Sequence, residues 1–96
     1  MADLFLPLKR EYFEQIRDGV KTEEYRLCSP YWVRRIEGRH YDRVILTLAY
    51  PRRDDDSRRI VRPWRIPTIK TITHPHFGPD PVAVYAIDVR NQDAKP

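Results

Sequence analysis

Residues 44–49, Val-Ile-Leu-Thr-Leu-Ala, are apolar at all but one position. A strand with one wet face alternates apolar and polar side chains, so an unbroken run needs cover on both faces. This run is the expected central strand, and the rest of the chain must be arranged around it. A chain of 96 residues has room for one hydrophobic core. Residues 1–90 therefore read as a single domain and 91–96 as a frayed C-terminal tail. A hydrophobic content of 41% supports such a core, while 33% charged residues predict a well-solvated surface on a folded chain.

The flanking segments read as short elements. Phe5, Leu6 and Leu8 open a strand. A helix over 10–18 carries Phe13 and Ile16 on one face and stops at Gly19. Residues 22–28, β-branched and aromatic without Gly or Pro, predict a strand with Thr22, Glu24, Arg26 and Cys28 on one face and Glu23, Tyr25 and Leu27 on the other. Ser29-Pro30 predicts a helix start, with the serine oxygen as cap, and Gly38 ends the helix over 31–37. The charge-mixed stretch 50–59 must be an exposed loop. Residues 60–72 resume a strand pattern interrupted by Pro63 and Pro67, which implies an edge strand or bulges. Pro75, Gly78, Pro79 and Pro81 make a turn-rich entry to a last strand over 82–89. The order β-α-β-α-β-β-β has too few alternating helices for a doubly wound sheet. It predicts an α+β fold: a small, mostly antiparallel β-barrel of about five strands, with two short helices in the N-terminal half.

No apolar run approaches the ~20 residues of a membrane span, and Met1-Ala2-Asp3 lacks the order of a secretory signal, so a cytoplasmic protein with no membrane partner is expected. One cysteine, Cys28, makes neither an internal disulfide nor a cysteine-based zinc cluster, and is best read as a small buried filler, a thiolate role being the alternative. Asp54, Asp55 and Asp56 lack the spacing of a calcium loop and are expected to pair with neighbouring arginines. His74 and His76 have no third ligand at metal-site spacing, so no metal or other cofactor is expected, and either imidazole can face a pocket.

The net charge of +4 is carried by 14 Arg and 4 Lys against 14 acidic residues. Arginine grips phosphate with a planar fork and stacks on bases, so this excess points toward nucleic acid. Arg34, Arg35, Arg39 and Arg43, with His40, are candidates for a phosphate-tracking strip, and Tyr31 and Trp32 for base stacking, with one of the two aromatics in the core. Gly19, Lys21, Glu24 and Arg26 form the densest constellation. A helix-ending glycine aims Lys21 at the mouth of a strand whose period of two sets Glu24 beside Arg26. Two cations suit a phosphate or a developing oxyanion. The carboxylate can orient them, accept a proton, or bond to a base edge or ribose hydroxyl. The same residues also make an ordinary surface ion pair, worth about 0–1 kcal/mol.

Spelled G-x-K-x-x-E-x-R, these four positions resemble the signature of the ASCH domain, a branch of the PUA-like superfamily. The likeness extends to Phe13 and Ile16 in the preceding helix, Ser29-Pro30-Tyr31-Trp32, Tyr41-Asp42 and Ala86-Ile87-Asp88-Val89. It implies a barrel with a cleft beside the signature, affinity for RNA or modified nucleotides and, in some relatives, hydrolysis. The ASCH-related acetylcytidine amidohydrolases have a lysine where Lys21 stands, but a threonine nucleophile where this chain has Glu24, so binding ranks above amidohydrolysis. The expected function is RNA or nucleotide binding through Lys21, Glu24, Arg26, Tyr31, Trp32, Arg34, Arg35 and His76. One alternative is a hydrolase acting on RNA or a modified nucleoside, with Lys21 as base and Glu24 in proton transfer or orientation. Another is a protein-interaction module with a basic face.

Overall fold

The 44–49 run becomes the middle of a sheet. A computed structural model describes residues 2–91; the tail positions 92–96 lie outside the described residues. The elements are β1 (Asp3–Leu8), α1 (Arg10–Arg17), β2 (Glu23–Leu27), α2 (Pro30–Ile36), β3 (Arg43–Leu48), β4 (Arg59–Pro63), β5 (Thr68–His74) and β6 (Gly78–Asp88). Single 3-10 turns occupy Asp56–Arg58 and Pro75–Phe77. β3 lies between β1, parallel to it, and β4, antiparallel to it. All of β3 except Arg43 is buried, as an unbroken apolar run requires.

A second sheet has the order β2-β6-β5, antiparallel throughout. The fold is thus α+β, with six strands in two three-stranded sheets, and the sheets are not closed into the expected barrel. One reason lies in the proline-interrupted stretch 60–72, read above as an edge strand or bulges. Pro63 ends β4, and Pro67 immediately precedes β5. Proline cannot donate to a ladder, so the chain leaves the first sheet at one proline and joins the second after the other. In β6, Pro79 and Pro81 fall where the pairing shifts register, between the partners of Ile72 and His74, and so interrupt no regular ladder.

One core joins the sheets. Leu4, Leu6 and Leu8 alternate inward along β1, meeting Val44, Leu46 and Leu48 of β3 and Tyr85 and Ile87 of β6. Phe13 and Ile16 close one side from α1, and Ile36 does so from α2. Gly19, at φ 80°, ends α1 in the left-handed region that favours glycine. The expected serine cap is not formed: Ser29 has the extended N-cap backbone, but its side chain makes no capping bond, and Pro30 at the first position sets the helical φ instead. Cys28 is half-buried against the core, and its thiol pKa is raised by burial and then by the Glu37 charge, which keeps it neutral. In the exposed loop, Asp55 pairs with Arg58 at 3.2 Å. No helix among the described residues is long and apolar enough to cross a membrane.

Two outcomes follow from this packing. Ile87 is fully buried in the central strand of the second sheet. Ile87→Ala should cost about 2–5 kcal/mol in a denaturant titration followed by circular dichroism, at unchanged m-value. Tyr85 donates from its hydroxyl to Glu37 Oε2 at 2.9 Å. Burial, then this bond, pushes its pKa up to about 12 from the ordinary 10.0. A pKa raised on folding contributes stability below the ordinary value that is lost as pH climbs through the folded one. In an absorbance titration of the tyrosinates, Tyr85→Phe should remove the step at highest pH.

Candidate nucleotide cleft

Two strands have an open edge beside the Gly19–Arg26 segment: β1 in one sheet and β2 in the other. A cleft of about 940 Å³ is lined by both, together with side chains from α1, α2 and the 75–77 turn. It lies where a closed barrel would have joined the two edges.

Glu24 anchors the charged part of this cleft. Its alternation with Glu23 and Tyr25 along β2 turns it inward, and it is 5% exposed, one of two buried polar residues among those described. A carboxylate so far from water must be paired. Its Oε1 lies 3.5 Å from Lys21 Nζ, and Arg26 donates to its Oε2. The two cations differ in what else they do. Arg26 also donates to Tyr25 O at 3.0 Å and Pro7 O at 2.9 Å, and its guanidinium stacks 5.3 Å from the Trp32 ring. It is therefore part of the framework, tying β2 to β1 across the gap. Lys21 reaches past the strand edge so that its ammonium lies over the Tyr25 and Tyr12 rings, at 4.8 and 5.4 Å. Among the described residues Glu24 is its one carboxylate neighbour. Ammonium donors thus remain for a ligand.

Tyr25 is held in place from below. Its hydroxyl donates to Glu23 Oε1 at 3.0 Å, and Lys70 of β5 donates to both Glu23 oxygens at 2.9 Å. The Lys70 bond holds the Glu23 carboxyl below its ordinary range. Burial, then the Glu23 bond, raises the Tyr25 phenol, so the ring under Lys21 stays neutral.

The remaining expected site residues divide. Trp32 is half-buried against the core and also lines the cleft, and Tyr31 is exposed and lines it too. Tyr31 and Arg35, four apart on α2, share a face, with the guanidinium 3.5 Å from the ring centroid. His76 lines the cleft. Arg34 does not: one residue from Arg35, it is turned by about 100° on the helix and does not line the cleft. Of the candidate strip, Arg35 lines the cleft, Arg39 donates to Arg34 O at 2.8 Å, and Arg43 is paired with Asp3 at 2.8 Å. Tyr12 and Phe77 line the cleft without having been singled out. Tyr12 stands beside core Phe13 in α1, and nothing local marks it; Phe77 had only its place next to His76 as a signal. No group of three His, Cys, Asp or Glu among the described residues is placed to hold a metal ion. His74 Nδ1 accepts from the His76 backbone N–H at 3.1 Å.

Comparison with known proteins finds no matching family model, no matching curated protein and no matching solved structure.

Arg26→Lys keeps a charge near Glu24 but loses the fork that spans Glu24, Tyr25 O and Pro7 O. It should lower stability by about 1–3 kcal/mol in thermal or denaturant unfolding. Glu23 and Asp88 both have folded pKa values below their ordinary 4.5 and 3.8, Glu23 chiefly through Lys70 and Asp88 chiefly through Arg90. A depressed carboxyl contributes stability above its unfolded pKa that is lost as pH falls through the folded one. The melting temperature should therefore decline between roughly pH 5 and pH 2, and Glu23→Gln should shallow that decline.

Proposed function

We propose that this is a PUA-like domain of the ASCH kind whose cleft binds RNA or a nucleotide, with Lys21 as the anion contact. The observation that carries the reading is the Lys21 ammonium, set over two tyrosine rings by a buried carboxylate in an aromatic cleft. Four cationic side chains line the cleft, Lys9, Lys21, Arg26 and Arg35, against the two carboxylates Asp3 and Glu24, so the field there favours an anion. Exposed aromatic surface beside a cation matches a base beside its phosphate, each stacked base contributing about 1–3 kcal/mol. The G-x-K-x-x-E-x-R signature supports the same assignment.

The state of Glu24 weighs against a hydrolase in which this carboxylate takes the proton. A general base must offer an oxygen to the proton it takes, and both oxygens of this carboxylate face cations of the protein itself. Its role in the proposal is to position Lys21.

Lys21→Ala should weaken binding of single-stranded RNA by about tenfold and reduce the slope of log K against log salt by about 0.7, with an unchanged circular dichroism spectrum. Absence of salt-dependent RNA binding by the parent protein, or a Lys21→Ala variant that binds as well, overturns the reading. Turnover of RNA or acetylcytidine that disappears in Glu24→Gln would replace it with the hydrolase.

A further inference from the structure

The contacts inside the cleft form one continuous series with two aromatic ends. At one end the Arg35 guanidinium covers Tyr31, which meets Trp32 edge-on at 5.0 Å between ring centroids. Trp32 faces Arg26, and Arg26 and Lys21 share Glu24. From Lys21 the series continues to Tyr12, then His74 at 6.1 Å, Phe77 at 5.8 Å and His76 at 5.3 Å. In this series the Lys21 ammonium thus stands between two separate π surfaces.

Neither surface is part of the sealed core. Tyr31 is 49% exposed, His76 is exposed, and Phe77 is half-buried. Both are held ready. One face of the Tyr31 ring is covered by a guanidinium one helical turn away, and a planar guanidinium is itself a stacking surface for a base. The other end is fixed by Pro75, by the His76 N–H bond to His74 Nδ1, and by Gly78 at φ 96°. Ordering costs that would oppose binding are thereby reduced. At about 940 Å³ the cleft is at the upper end of the ~300–1,000 Å³ of small-molecule pockets. A mononucleotide has one base and leaves one platform empty. A single-stranded step repeats base, phosphate, base in the order in which the cleft presents aromatic, cation, aromatic. Paired bases would hide the faces that these platforms need.

Building on the RNA reading above, we propose that the cleft takes a dinucleotide step of single-stranded RNA. One base stacks on the Tyr31–Arg35 platform, the other on the His76–Phe77 corner, and the linking phosphodiester lies at Lys21.

The test is calorimetric titration of the full chain with adenosine monophosphate, the dinucleotide adenylyl-adenosine and octa-adenylate. The second stacked base should make the dinucleotide bind at least about fivefold tighter than the monophosphate, although the monophosphate carries more charge. Tyr31→Ala and His76→Ala, both at exposed positions, should each bring the dinucleotide down toward the monophosphate affinity, and Phe77→Leu should do the same if its fold is retained by circular dichroism. Equal affinities for monophosphate and dinucleotide, with both weakened by Lys21→Ala, would leave a one-nucleotide site and overturn this inference alone. Loss on Tyr31→Ala with no change on either His76→Ala or Phe77→Leu would overturn it as well. If none of the three probes binds, the RNA reading itself fails.

Discussion

The buried Glu24 carboxylate is the constraint on which the site depends. A charge at this depth is stable only with its counter-charges in place, so burying Glu24 fixes the positions of two further side chains. Arg26 meets this demand and in the same geometry bonds to Pro7 O on the neighbouring sheet. Lys21 meets it from the other side, at 3.5 Å, and is thereby held over Tyr12 and Tyr25. One carboxylate thus sets a structural cation and a cation that lines the cleft. That division of labour was hidden in the motif, where both are simply basic residues, three positions before and two after a glutamate.

The cleft and the open architecture have one origin. Strand edges expose unpaired backbone groups, and proteins either pair them or cover them. Here β1 and β2 are not joined by a ladder; Arg26 spans between them with one side chain, and aromatic rings from α1, α2 and the 75–77 turn surround the gap. A closed barrel would have filled that space with backbone hydrogen bonds. Leaving it open creates a concave surface with a charged centre, while the shared core holds the two sheets together behind it.

Much of this was legible residue by residue. The both-face burial of β3 followed from its unbroken apolar run, α1 stopped at its glycine, and Glu24 and Arg26 met because strand side chains repeat every two residues. Other features depended on contacts between distant segments. The fate of Pro63 and Pro67 is an example: two prolines can bend one edge strand or divide it between two sheets, and only the packing of both sheets on the Leu6, Leu46 and Ile87 core selects the second. Tyr25 is another, since its ring reaches the cleft by passing under a lysine from outside its own strand. Arg34 shows the reverse: its charge suited the proposed strip, but 100° of helix rotation removed it from the cleft.

Local chemistry alone therefore determined most of the elements, the single core and the motif that pairs two cations with a carboxylate, because each is set by spacing along the chain. The separation into two sheets, the gap between β1 and β2, and the aromatic platforms at either end of Lys21 were decided by tertiary structure. Those features bring together Tyr12, Lys21, Tyr31 and Phe77 from segments far apart in sequence, and no periodicity within any one segment specifies where another will pack.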